Sequence, residues 1–150
     1  MFDSLRIAAT GMSVSRQMMD VIAENIANAN TTTTIDGQPY KRKDVLISSK
    51  PLNDPEDEGI LTVSFDEEFE NQLSGAQVVG VKQDNTGFRK VYDPNNPNAD
   101  KDGYVTLPNV NVVEEMAKMI QASRMYEANL SVVESIKTMA TKALESIQQQ

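Results

Sequence analysis

The feature that most restricts the fold of this chain is its last stretch, from Asn111 to Gln150, which contains neither Pro nor Gly. Apolar or small residues recur there at alternating spacings of three and four, which places them on one face of a helix in a heptad pattern. We therefore predict a helix from about Asn111 to the chain end, roughly 57 Å long at 1.5 Å per residue. Such a length is typical of a coiled coil or helical array. The repeated positions are Val112, Met116, Met119, Ser123, Tyr126, Leu130, Val133, Lys137, Ala140, Leu144 and Ile147.

The N-terminal segment shows the same spacing and predicts a second long helix. Asn28, Asn30 and the run from Thr31 to Thr34 should end it, because Asn and β-branched Thr are poor helix formers. Since the two helices stand at opposite ends of the chain, we expect them to pair as an antiparallel coiled coil. The repeated positions are Leu5, Ala8, Met12, Ser15, Met19, Ile22, Ile26 and Ala29.

The middle of the chain is rich in turn residues and short β-prone runs. It holds all six Pro and every Gly except Gly11, and Asp36-Gly37 and Glu58-Gly59 are typical turn sequences. The fold class is therefore mainly α with a small β insertion. We predict an N-terminal helix in 1–30, a β-rich middle domain in 31–110 and a C-terminal helix in 111–150. The β-prone runs are Val45–Ser48, Ile60–Phe65, Val78–Lys82, Phe88–Tyr92 and Tyr104–Leu107.

Composition excludes most catalytic chemistry. The chain has no Cys and no His, so it lacks thiol nucleophiles and the commonest general base and metal ligand. Its net charge of -8 argues against a nucleic-acid surface. A carboxylate-based hydrolase is one alternative, but turns and charge alone offer no pocket that would raise the pKa of one carboxylate. The acidic residues concerned are Asp54, Glu56, Asp57, Glu58, Asp66, Glu67, Glu68 and Glu70.

A second candidate site is the loop that contains Asn98, Asp100, Asp102 and Gly103, which resembles the start of a calcium-binding loop. Its twelfth position is Asn109 where a bidentate Glu is needed, so a polar turn is the better interpretation. We expect no catalytic residue, no metal and no cofactor.

Lys41, Arg42 and Lys43 form the densest basic patch. Two interpretations are open: a solvated strand edge that prevents aberrant pairing, or a contact with an acidic face of a neighbouring subunit, such as 51–76.

Polar residues beside the helical seams point to ordered assembly. Asn25, Asn28 and Arg124 are the ones that we expect to set register, because buried polar groups at helix contacts penalise misaligned partners. The apolar residues that we expect to pack between subunits are Leu5, Met12, Met19, Ile22, Ile26, Met116, Met119, Tyr126, Leu130, Val133 and Leu144.

Two stretches resemble a known family. Residues 24–32, with the sequence Glu-Asn-Ile-Ala-Asn-Ala-Asn-Thr-Thr, resemble the N-terminal signature of flagellar axial proteins, and Pro39-Tyr40-Lys41-Arg42-Lys43 is similar to the proximal rod proteins within that set. At the other end, residues 102–105, 108–111, 115–116, 124–129 and 137–139 are similar to the C-terminal signature of the same family. Members often carry a His in the Pro-rich loop, where this chain has Asn95-Asn96-Pro97.

The resemblance implies a non-enzymatic structural subunit of the proximal rod, which polymerises through its terminal helices into the drive shaft that transmits torque. Its implied partners are other rod proteins, copies of itself, the motor base in the membrane and the flagellar export apparatus, with no nucleic acid and no small-molecule substrate. It also implies export without a cleaved signal peptide to a periplasmic rod, and Met1–Ala9 carry Asp3 and Arg6 instead of a signal-like apolar run. An autonomous coiled-coil adaptor or secretion chaperone is the alternative.

Overall fold

The computed structural model describes residues 2–51 and 74–148. The two long helices within them pack against each other, and short strands separate them along the chain, which confirms a mainly helical fold with a small β insertion. The predicted strand at Ile60–Phe65 and the acidic residues between Asp54 and Glu70 lie outside the described residues. The elements are helix α1 (Phe2–Ala27), strands β1 (Lys43–Pro51), β2 (Ser74–Gln83), β3 (Arg89–Tyr92) and β4 (Tyr104–Leu107), and helix α2 (Val112–Gln148).

Asn side chains mark the inner ends of both helices. Helix α1 ends at Ala27, and the side chain of Asn28 donates from Nδ2 to the carbonyl oxygen of Glu24 at 2.9 Å. Helix α2 begins after Asn111, whose Oδ1 accepts the N–H of Val113 at 3.1 Å. Asn111 is therefore an N-cap, which satisfies one of the free N–H groups that every helix leaves in its first turn.

The strands form two-stranded sheets in the described part of the chain. Strand β1 pairs with β2, and β3 pairs antiparallel with β4, with Arg89 opposite Leu107 and Tyr92 opposite Tyr104. The two tyrosine rings meet edge to face with their centroids 5.3 Å apart. The four predicted β-prone runs that lie within the described residues all fall on these strands, to within one residue.

The chain divides into two compact units, with boundaries after Arg16, Leu46, Val79 and Ala122. The first unit contains residues 2–16, 47–51, 74–79 and 123–148 of the described chain. In this unit α1 contacts α2 at a notch formed by Gly11. A Cβ built on Gly11 would lie 2.7 Å from Nδ2 and 3.0 Å from Cγ of Asn129. The N–H of Ala76 in β2 donates to Oγ1 of Thr10 in α1 at 3.2 Å. Buried residues of this unit include Ala8, Val14, Ser15 and Ile136.

The second unit contains residues 17–46 and 80–122. Its interior combines apolar side chains with polar ones that are as deeply buried. Glu115 of α2 is 1% exposed and Asn25 of α1 is 0% exposed. The buried apolar residues are Ile22, Ala29, Tyr40, Val105 and Ala122.

The buried face of α2 differs from the predicted heptad seam. At every second seam position, the buried residue is the one just before the predicted residue. Glu115, Ala122 and Ile136 are buried where the pattern has Met116, Ser123 and Lys137. The displacement has a physical advantage, because it buries an isoleucine and leaves the amine of Lys137 in solvent. No helix in the described part of the chain is long and apolar enough to span a membrane.

Candidate functional site

The second unit is organised around the side-chain amide of Asn25. Its Oδ1 accepts the backbone N–H of Lys43 at 2.9 Å and the hydroxyl of Tyr40 at 3.0 Å. Its Nδ2 donates to the carbonyl oxygen of Lys43 and to Oε2 of Glu115, both at 2.8 Å. A backbone N–H can only donate and a carbonyl can only accept, so Lys43 fixes the orientation of the amide. All four hydrogen-bonding positions of Asn25 are filled.

Glu115 and Arg42 form a buried ion pair beside this amide. Nε of Arg42 donates to Oε1 of Glu115 at 2.9 Å, and Nζ of Lys118 lies 3.5 Å from the same oxygen. The guanidinium also reaches Asp84 at 3.4 Å and Asp44 at 3.3 Å. We call Asn25, Tyr40, Arg42, Lys43 and Glu115 the polar cluster. It joins the end of α1, the start of β1 with the residues before it, and the first turn of α2.

The electrostatics of the polar cluster follow from its burial. Burial raises the pKa of Tyr40 to about 12, and the negative charges of Glu24 and Glu115 act in the same direction. Burial alone would lower the pKa of Arg42, but its hydrogen bond and charge interaction with Glu115, aided by Asp44, outweigh that effect and raise it. Arg42 therefore stays charged and Tyr40 stays a hydrogen-bond donor at neutral pH.

The backbone of Arg42 connects the polar cluster to β2 and to the segment before α2. Its N–H donates to Oδ1 of Asn109 at 2.9 Å, and its carbonyl accepts the N–H of Asp84 at 2.7 Å. Nδ2 of Asn109 donates in turn to the carbonyl oxygen of Asp84 at 3.2 Å and to Oγ1 of Thr86 at 3.0 Å. The hydrogen bond from the Thr86 N–H, together with Arg42, lowers the pKa of Asp84.

These contacts change the interpretation of the basic patch. For Arg42 both sequence-based interpretations are wrong, because its side chain turns inward to bind Glu115. Lys43 pairs through Nζ with Glu24 of α1. The sequence shows three adjacent positive charges but does not show that α2 supplies a buried carboxylate for the middle one.

The residues predicted to pack between subunits differ in exposure. Ile22 is buried, and Leu5, Met116, Leu130 and Leu144 are exposed. The half-buried members are Met12, Met19, Ile26, Met119, Tyr126 and Val133. Of the predicted register residues, Asn25 is buried in the polar cluster, Asn28 is half-buried at the end of α1, and Arg124 is exposed.

Helix α2 carries exposed apolar side chains in each unit. In the second unit Val113, Met116 and Ile120, spaced by three and four, lie on one side of the helix and are more than half exposed. In the first unit Met125, Val132 and Met139 recur every seven residues, and Met139 is 55% exposed. We call these last three the heptad stripe. Sequence reasoning missed it, although the seven-residue spacing of large apolar residues was a usable signal.

The loop that resembles a calcium-binding motif forms a polar turn. Oδ1 of Asp100 accepts the backbone N–H groups of Asp102 at 3.0 Å and Tyr104 at 2.8 Å, and Gly103 has a φ of 79°. Within the described ranges, no group of three or more acidic, His or Cys side chains is arranged to hold a metal ion.

Comparison with known proteins yields one family along most of the chain. Residues 5–33 match the family model described as "Flagella basal body rod protein", and residues 101–146 match "Flagellar basal body rod FlgEFG protein C-terminal". The flagellar basal-body rod protein FlgC of Borreliella burgdorferi is 40% identical over 99% of this chain and 98% of its own length. The FlgC protein of Bacillus subtilis is 35% identical over 96% of both chains, and that of Salmonella typhimurium is 35% identical over 92% of this chain and 91% of its own.

Proposed function

Because this chain belongs to the FlgC family of flagellar basal-body rod proteins, we propose that it polymerises through its terminal helices into the proximal rod, the drive shaft that transmits torque. Its relatives are structural rod proteins, and this chain is likewise a structural subunit of the flagellar basal body and not an enzyme. Assembly with other rod components and with copies of itself follows from the family.

The observation that carries this proposal is the apolar surface that α2 retains after α1 has packed against it. The heptad stripe leaves Met125, Val132 and Met139 between 41% and 55% exposed. Full burial of such a side chain is worth about 1.5–3 kcal/mol, so covering the exposed half of each gains roughly 1 kcal/mol. A spacing of seven fits one further helix, since a heptad repeat presents a continuous seam. The stripe is therefore suited to helices of neighbouring subunits.

We propose that α1 and α2 pair as an antiparallel coiled coil. Gly11 lies against Asn129, and Asn25 is bonded to Glu115. The two contacts are fourteen residues apart on each helix and run in opposite order, and fourteen residues are two heptads. In this arrangement 1–30 and 111–150 form the shaft-building domain and 31–110 forms the middle domain.

Packing between subunits is proposed for the predicted apolar residues that the chain leaves exposed, namely Leu5, Met116, Leu130 and Leu144, with the half-buried members beside them. For register, Arg124 is available on the surface. Asn25 has its hydrogen bonds filled within the chain, so its effect on subunit register would act through the position of Lys43.

We further propose that the subunit is exported by the flagellar export apparatus without a cleaved signal peptide, and that it assembles in the periplasm above the motor base. The family supports this location, since a basal-body rod needs subunits outside the cytoplasm. The chain also has no Cys, which suits an oxidising compartment.

The test is a charge placed in the heptad stripe. Val132→Asp should abolish motility and the recovery of intact basal bodies when it replaces the chromosomal copy in its source bacterium, because an unpaired carboxylate in a buried seam is not tolerated. Thr138→Asp, at an exposed position on a different side of the same helix from the stripe, is the matched control and should assemble. Both purified variants should keep the helical circular dichroism of the parent. Full motility of Val132→Asp would show that the stripe is not an assembly surface.

A further inference from the structure

The buried hydrogen-bonding groups of the polar cluster all have partners. Asn25 uses both donors and accepts two hydrogen bonds, and Glu115 receives hydrogen bonds from Asn25, Arg42 and Lys118. Within the described residues, no buried side-chain nitrogen or oxygen lacks a partner. Each bond has a direction, so the cluster fits one arrangement of α1, the segment 40–44 and α2.

Burying this ion pair is not an efficient way to gain stability. Removing a carboxylate and a guanidinium from water costs about as much as their attraction returns, and apolar residues of similar volume often serve equally well or better. What the pair does add is a penalty against misaligned arrangements of the segment and the helices. A slip of one residue between the segment 40–44 and either helix would leave a charge or an amide buried without a partner.

We propose that the polar cluster is an alignment device: it fixes the register of segment 40–44 on the two helices and contributes little to the free energy of unfolding. The backbone of Arg42 links segment 40–44 to two other parts of the chain. Its carbonyl accepts the N–H of Asp84, which follows β2, and its N–H donates to Oδ1 of Asn109. These two hydrogen bonds hold the residue after β2 and the segment before α2 to the same residue that the polar cluster positions. Only the benefit for rod building, in which every copy must present its strands alike, rests on the proposed function.

The structure supplies amides that report this alignment. The N–H groups of Arg42, Lys43 and Asp84 are bonded to Asn109, to Asn25 and to Arg42, respectively. The N–H of Ala122, well inside α2, reports the helix itself. Hydrogen exchange of the purified full-length chain, measured residue by residue by NMR, separates loss of alignment from loss of fold.

The test variant is Arg42→Met combined with Glu115→Met, which replaces the ion pair by apolar side chains. We expect exchange of the three reporting amides to be at least ten times faster and that of Ala122 to be unchanged. The urea midpoint should fall by no more than the loss of the single hydrogen bond from Nδ2 of Asn25 to Glu115 accounts for. The matched control is Asp44→Asn, because Asp44 contacts the same guanidinium from a position where its side chain is 65% exposed. It should leave both the midpoint and the exchange rates as they are.

Two results would overturn the proposal. If the three amides keep their protection in the double variant, packing alone aligns the segment. If the midpoint falls and Ala122 exchanges faster as well, or if the double variant does not fold, the cluster is a source of stability and not of alignment. Neither readout involves the rod, so failure here is distinguishable from failure of the heptad stripe to mediate assembly.

Discussion

Gly11 offers a sharp test of the helix contact, because two effects of known size oppose each other there. Replacing Gly by Ala inside a helix normally stabilises it by about 0.8–1 kcal/mol. At Gly11, however, the added methyl group would lie 2.7 Å from Nδ2, 2.9 Å from Oδ1 and 3.0 Å from Cγ of Asn129. Overpacking of this kind costs roughly 1–3 kcal/mol. Because Cγ is involved, and Nδ2 is tied to the carbonyl oxygen of Met125 at 2.9 Å, the amide cannot simply swing aside.

We therefore expect Gly11→Ala to lower the free energy of unfolding by about 1 kcal/mol, the difference between the two effects. In the background of Asn129→Ala the obstacle is gone, and the same substitution should stabilise by about 1 kcal/mol. The coupling in this double-mutant cycle is then about 2 kcal/mol, within the usual range for residues in contact.

The assay is urea unfolding of the purified full-length chain, followed by circular dichroism, for the parent, both single variants and the double variant. Ala9→Gly, at an exposed position of the same helix, calibrates the intrinsic difference between the two residues and should destabilise by about 1 kcal/mol. If Gly11→Ala stabilises the chain by that calibrated amount with Asn129 intact, the two helices do not approach as closely as described.

Three further predictions concern other parts of the chain. Gly103→Ala should lower the free energy of unfolding by about 1–3 kcal/mol, because φ is 79° there and the new methyl group would meet Tyr92 at 2.9 Å; Gly87→Ala, with nothing within 4 Å, should have little effect in the same urea titration. Asn111→Ala should cost about 1 kcal/mol by removing the N-cap of α2, while Asn111→Asp should retain it; equal thermal midpoints for the two would argue against the cap. The pKa of Tyr40 is raised to about 12 in the folded chain, so its contribution to stability is complete below pH 10 and is lost as the pH rises toward 12. Tyr40→Phe should therefore flatten the fall in unfolding free energy between those pH values, and an unchanged slope would contradict the burial of this hydroxyl.

The two helices were predictable because their signal is local. Spacing, the absence of Pro and Gly after Asn111, and the stop at Asn28 each act within one segment. The four strands within the described residues were predictable for the same reason, since β-branched and aromatic runs between turn residues need no knowledge of distant partners.

The polar cluster was not predictable, because its members lie far apart in sequence. Asn25 and Glu115 are 90 positions apart, and Arg42 and Glu115 are 73 apart. Glu115 stands next to a large apolar residue that the heptad pattern favours, and only the three-dimensional contact shows that the acid is buried and Met116 is not. A helix period of 3.6 drifts against a repeat of 3.5, so the buried face of a 37-residue helix cannot be fixed by spacing alone.

The notch between Gly11 and Asn129 also limits the order in which this protein can change over evolutionary time. A side chain gained at position 11 while Asn129 is present creates a collision, so that path passes through a less stable intermediate. Shortening of residue 129 first opens the space, and the change at position 11 then becomes favourable. We therefore expect homologous proteins to carry a larger residue at position 11 only where position 129 is small. Substitutions at the two positions should be correlated.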